Sequence, residues 1–377
     1  MLDNNQLALL ELLKASVFEI DPVFPPVIDW DAVVSEAKVQ TVVSLAAKAV
    51  PAEHASQWQN YALQSQAQFV RVLHGQKQLV NLYEQAGIPL VILKGTAAAV
   101  YYPEPFRRMM GDVDFLVPQE RFEEAVQLMR ENEYHRLEVP NHRHIGFVKD
   151  GIEYELHHHF SYEDLVIEDK IINDLSHPEW YAIGEYRFPA LSRLSNGLVL
   201  LAHLQHHMKS GVGLRQMIDW MMYVDKELDD EFWQREFRQV AESKGLATLA
   251  IAATRMCQRY LGLSERITWC ASADDAICDQ LLALLFACGN FGRKDSNLVE
   301  SVSMLIRENG LFRYLQSSGE ANWNAYHRHP ILKPFCWIHQ GLRVIRKTIH
   351  SRRGFKVIGD ISQSKDRASL LQELGIT

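Results

Sequence analysis

Most of this chain repeats its apolar residues at helical spacing, but the segment Gly111-Asp112-Val113-Asp114-Phe115-Leu116-Val117 alternates instead. Val113, Phe115 and Val117 stand at every second position, the pattern of a strand with one apolar face. Successive strand side chains point to opposite faces, so Asp112 and Asp114 project together while Val113 turns to the core. Two carboxylates held so close repel each other. Hard oxygen donors at that spacing ask for a cation and suit Mg2+.

The neighbouring segments complete a small mixed unit. Leu90-Val91-Ile92-Leu93 is a short apolar run between Pro89 and Gly95, as a buried strand would be. Gly95 to Tyr102 reads as a short helix ended by Pro103 and Pro105. Pro118 opens a helix to about Asn132, with Glu120, Glu123 and Glu124 near its positive end. Two strand-like runs, 144–148 and 152–160, are joined by Lys149-Asp150-Gly151, a hairpin signal. Upstream, Leu7, Leu10 and Leu13, and then the periodic stretch from Trp58 to Tyr83, predict helices. Beyond Pro189, residues 191–208 and 214–226 predict two more, broken at Ser210-Gly211-Val212-Gly213, with others to about 348. The fold expected is α+β, a small mixed-sheet core flanked by helical regions. The expected divisions are 1–86, 87–188, 189–350 and a tail, 351–377.

Composition excludes several classes. A net charge of −8 argues against a protein that coats nucleic acid non-specifically. Only residues 343–356 form a basic stretch without acids (Arg343, Arg346, Lys347, Arg352, Arg353, Lys356), suited to RNA, another polyanion or a membrane surface, or equally to a solvated helix end. Five cysteines with no CxxC pair predict free thiols in a reducing compartment. The N-terminus lacks a basic region followed by a long apolar stretch, and no run approaches the roughly 18 apolar residues of a membrane span. The expectation is a cytoplasmic protein.

A third carboxylate should come from a neighbouring strand. Ile152-Glu153-Tyr154-Glu155-Leu156-His157 offers Glu153 and Glu155 on one face with His157. Glu155 is the choice because the Leu-His-His-His run follows it, and Glu153 is the alternate. Three carboxylates can hold two ions, one carrying a triphosphate and the other lowering the pKa of an attacking hydroxyl. Lys94-Gly95-Thr96, at a strand-to-helix turn, reads as a phosphate cradle, where substitutions would spare the fold if Lys94 is exposed and Gly95 has ordinary dihedrals. His157, His158 and His159 alternate in direction and cannot all bind one ion. His203, His206 and His207 share a helix, but Leu204 stands where a His-Glu-x-x-His zinc site needs Glu. A packed or capping role is expected there, with His203 reaching the site if its helix covers the core.

Lys94-Gly95 after an apolar strand, Arg108 four residues before Asp112, the Gly-Asp-Val-Asp-Phe-Leu-Val strand and Glu155-Leu156-His157 resemble the uncharacterised nucleotidyltransferase family of bacteria, within the polymerase-β-like superfamily. The resemblance is close over 90–160 and looser to Lys226, where Arg215-Gln216-Met217-Ile218-Asp219 resembles a family position with an Asp on a helix near the site. It implies Mg2+- or Mn2+-dependent transfer of a nucleoside monophosphate from an NTP such as ATP to a protein side chain, small molecule or RNA, with pyrophosphate leaving. Asp112, Asp114 and Glu155 would be catalytic and hold metal, Lys94, Gly95, Thr96 and Arg108 would bind nucleotide, and His157, His203 and Asp219 would be accessory. A plain i,i+4 pair with Arg215 is the other role open to Asp219. Two departures stand out. Thr96 replaces the superfamily's usual Gly or Ser, and the 17-residue step from Gly95 to Asp112 implies an insertion at 103–108 that would carry Arg107 and Arg108 over the triphosphate. The alternative is a nucleotide-binding or scaffold protein of weak activity; Thr96 favours it and the intact Asp-x-Asp opposes it. A zinc hydrolase built on the histidines is disfavoured by their spacing.

Overall fold

The computed structural model describes residues 2–137, 144–157, 161–162, 165–166, 174–290, 316, 320, 330–340 and 369–376. The basic stretch 343–356, most of the predicted tail, and His158 and His159 lie outside them. Four helices come first: α1 (Asn4–Phe18), α2 (Trp30–Val39), α3 (Val43–Ala46) and the 32-residue α4 (Ala55–Ala86). Gly87, left-handed at φ 66°, stops α4: its N–H bonds back to the Glu84 carbonyl and that of Ile88 to Tyr83, the closure for which glycine is preferred.

Strand β1 (Val91–Leu93), helix α5 (Gly95–Ala99), strand β2 (Asp112–Leu116) and helix α6 (Phe122–Glu131) follow in the expected order. β3 (His135–Arg136) and the hairpin β4 (His144–Lys149) and β5 (Ile152–His157) come next. The hairpin turns at Asp150 and Gly151, with φ of 51° and 70°, as an Asp-Gly turn with two positive φ angles requires. A two-stranded ladder, β6 (Ser161–Tyr162) with β7 (Leu165–Val166), stands apart from the main sheet. The hairpin β8 (Glu179–Ile183) and β9 (Tyr186–Ala190) was not expected, nor was β3. Helices α7 (Arg193–Ser210), α8 (Leu214–Glu227), α9 (Ala247–Leu261) and α10 (Asp275–Cys288) then form the C-terminal region.

The seven strands lie in the order β3-β4-β5-β2-β1-β9-β8, and the fold is α+β. β2 runs parallel to β5 and antiparallel to β1, and β1 runs parallel to β9. Each sheet face meets a different core. Ile92, Val113, Phe115, Tyr154 and Leu156 pack with Phe69, Val72 and Tyr83 of α4 and Val126 of α6. Val91, Leu93 and Leu116 join the larger helical core of α1, α7, α8 and α9. Helix α4 comes close to β5 because Gly75 has no side chain; a Cβ there would collide with Tyr154 and Ile152. Register follows from this arrangement. Burying Val113 and Phe115 is worth about 1.5–3 kcal/mol each, and a one-residue slip would put Asp112 and Asp114 against α4 instead.

All five cysteines are buried and free, and no helix among the described residues is long and apolar enough to cross a membrane.

Candidate active site

Parallel pairing of β2 with β5 sets Asp112 beside Glu153 and Asp114 beside Glu155. All four carboxylates therefore share the sheet face that looks toward the C-terminal helices. Asp114 is buried. It accepts from Lys94 Nζ at 2.7 Å, and His157 Nε2 lies 3.0 Å from the same Oδ1. Burial pushes the Asp114 carboxyl up, but the Lys94 ammonium and then the His157 ring outweigh it and hold it well below the usual range. Asp112 is shifted the other way: desolvation and then the Asp114 charge raise it. Glu155 is raised by burial, which the His157 ring only partly offsets. Glu153 is exposed. This face holds more negative charge than Lys94 neutralises, and oxygen donors in that state suit a divalent ion.

The strand-to-helix turn differs from expectation in two respects. Lys94 is buried rather than exposed, and its φ of 50° with ψ −126° is a strained conformation for a residue with a side chain. Gly95 has φ +24°, not ordinary geometry, so a β-carbon there meets backbone strain before it meets any ligand. The turn points the Lys94 ammonium across to Asp114. The Thr96 hydroxyl donates at 2.6 Å to Gln76 Oε1 of α4 and is fully buried.

Arg108 and Asp219 form a second buried pair. Arg108 Nε donates to Asp219 Oδ1 at 2.7 Å and Nη2 to Oδ2 at 2.8 Å, while Tyr102 Oη donates to Oδ1 at 2.7 Å. Asp219 is thus clasped by Arg108, 111 residues earlier in the chain, rather than serving only a local pair with Arg215. Arg108 Nη1 is buried with no hydrogen-bond partner among the described residues. Burial works against the charge of both Arg108 and Arg215, and the Asp219 and then the Asp112 carboxylates favour it. Arg107 turns away, to Glu104 at 2.6 Å and the Ser44 carbonyl at 3.2 Å. On α7, His203 and His207 stand with Nε2 atoms 2.9 Å apart. Burial, then His207, then Lys94 depress His203 well below the usual imidazole value.

His144 and Tyr102 were missed by sequence reasoning. His144 could have been found by counting outward from the Asp150-Gly151 turn: 149 pairs with 152, and so 144 with 157. Its ring then stands 5.1 Å from that of His157, with Nδ1 3.4 Å from Glu155 Oε2. Nothing local in the sequence links Tyr102 to residue 219.

The model of the uncharacterised nucleotidyltransferase family matches residues 26–262, more than half of the chain, and the chain belongs to that family. A solved structure described as an antigenic nucleotidyltransferase-like protein from Paracoccidioides brasiliensis is similar at 13% identity and a TM-score of 0.35, over 51% of this chain and 93% of that one. No curated protein matches.

Proposed function

We propose that this chain is a metal-dependent nucleotidyltransferase of the polymerase-β-like superfamily, moving a nucleoside monophosphate from an NTP to an acceptor hydroxyl with release of pyrophosphate. The observation that carries this reading is the register that brings Asp112, Asp114 and Glu155 onto one sheet face beside Lys94. Asp112, Asp114 and Glu155 would hold Mg2+ or Mn2+, which supplies charge neutralisation for the triphosphate and acidifies the acceptor hydroxyl. Arg108, fixed by Asp219, to which Tyr102 also donates, keeps its Nη1 for a phosphate oxygen. Lys94 holds Asp114 ionised and lies where the triphosphate charge would collect. Leu116, on the carboxylate side of β2, joins the core to which α7 and α8 contribute. Such chemistry is mostly positioning and charge, and needs no Ser or Cys nucleophile.

The test is incubation with each α-labelled NTP, Mg2+ or Mn2+, and cell extract, followed by separation of labelled protein, RNA and small molecules. Asp112→Ala and Asp114→Ala should each lower transfer by about a hundred- to a thousand-fold, the scale of losing one preorganised electrostatic contact. Glu155→Gln should slow transfer more than it weakens NTP binding. Damage from Glu153→Gln instead would move the third carboxylate, and full activity in both aspartate variants would sink the reading.

A further inference from the structure

Beside the oxygen-only pair Asp112 and Asp114, the same face carries a cluster of different chemistry on the hairpin. His144 Nδ1 and His157 Nε2 both approach one oxygen, Glu155 Oε2, at 3.4 and 3.5 Å. All three ligand atoms lie within 4.8 Å of one another. Those distances are long for N–H···O hydrogen bonds, which run at about 2.7–3.2 Å. They match the separation of about 3.3 Å between donors that share a tetrahedral ion at bond lengths of about 2.0–2.1 Å. Both histidines are locked in place: they are cross-strand partners, and Glu155 lies two residues along the strand from His157. Opposite Glu155 stands Gly146, which puts no side chain over the cluster.

We propose that His144, Glu155 and His157 form a seat for a borderline divalent ion of the Zn2+ or Co2+ class, separate in chemistry from the all-oxygen seat of Asp112 and Asp114. Two imidazoles and one carboxylate favour such an ion over Mg2+ and leave a fourth position open. Asp114 Oδ1 lies 3.0 Å from the same Nε2, a hydrogen bond that His157 exchanges for the ion when the seat fills. The seat shares Glu155 with the transfer reading but needs no nucleotide to fill.

The experiment uses the full chain, stripped with chelator and without nucleotide, titrated with Co2+ by visible absorption and with Zn2+ by calorimetry. One equivalent should bind, with the intense visible bands of a low-coordinate Co2+ site and no thiolate charge-transfer band. His144→Ala and the milder His144→Gln, each checked for native circular dichroism, should weaken binding by more than about a hundred-fold, beyond the loss typical of an outer-shell partner. Asp112→Asn should keep Co2+ binding while losing Mg2+-dependent transfer, so the two readings fail separately. Binding that survives in both His144 variants, that vanishes on His203→Ala, or that shows a thiolate band would overturn the seat.

Discussion

Two buried ion pairs flank the carboxylate face, and they are built differently. Asp219 is saturated: a planar guanidinium grips both its oxygens and a tyrosine hydroxyl adds a third bond. Asp114 receives a single ammonium and an imidazole, both on one oxygen, and Glu155 stands beside it. A bidentate arginine is specific in geometry and hard to displace, whereas a lysine is a point charge on a flexible stem. The Arg108 pair therefore reads as a fixture, and the Lys94 pair as a cation place that another cation can take over.

The comparison is broken most forcefully at the fixture. Asp219→Ala strands a buried guanidinium and should cost about 3–5 kcal/mol in urea denaturation, the usual penalty for breaking a buried pair from one side. A loss under about 1 kcal/mol would mean the clasp is not structural. Next comes exchangeability. In Lys94→Met the competing ammonium is gone, so Mn2+ should restore stability, by about 2.7 kcal/mol at a hundred times its dissociation constant. Arg108→Met should gain nothing comparable from the ion, and equal rescue in both variants would erase the distinction.

A smaller effect probes helix α7. Burial, then His206, Lys94 and Arg215, pull His207 down to about 3. Below the unfolded value near 6.5 the unfolded chain takes up a proton that the native state refuses, so stability falls as pH drops from about 6.5 toward 3. The slope from this residue is about 1.4 kcal/mol per pH unit, and His207→Leu should remove about one proton from the acid limb of a denaturation series. The smallest change is Thr96→Val. It should cost about 1 kcal/mol through the lost bond to Gln76, and a double-mutant cycle with Gln76→Ala should recover that amount as coupling.

The parts legible in the sequence were those carried by local periodicity. The alternation at 113–117 gave a strand and its acid face, and Asp150-Gly151 gave the hairpin. Gly87 marked the change from helix to sheet. Partners fixed by long-range packing were not legible. Lys94 looked free because nothing near it in sequence shows that β1 would lie antiparallel to β2, with Leu93 opposite Asp114. The clasp of Asp219 by Tyr102 and Arg108 depends on how α8 docks on the sheet, which no spacing encodes. The β8–β9 hairpin hid because a proline and an arginine interrupt the short run Tyr186–Ala190, which pairs at one position with β1.

Helix α4 belongs to two cores at once. Trp58 near its start is buried in the helical core, and Phe69 to Tyr83 are buried beneath the sheet. At about 1.5 Å per residue it is a beam roughly 48 Å long. A beam anchored at both ends passes load: loosening the helical core releases one support of the layer that holds β2 and β5 in register. Mutations around Trp58, far along the helix from any carboxylate, would then be felt as a change in the spacing of the acids.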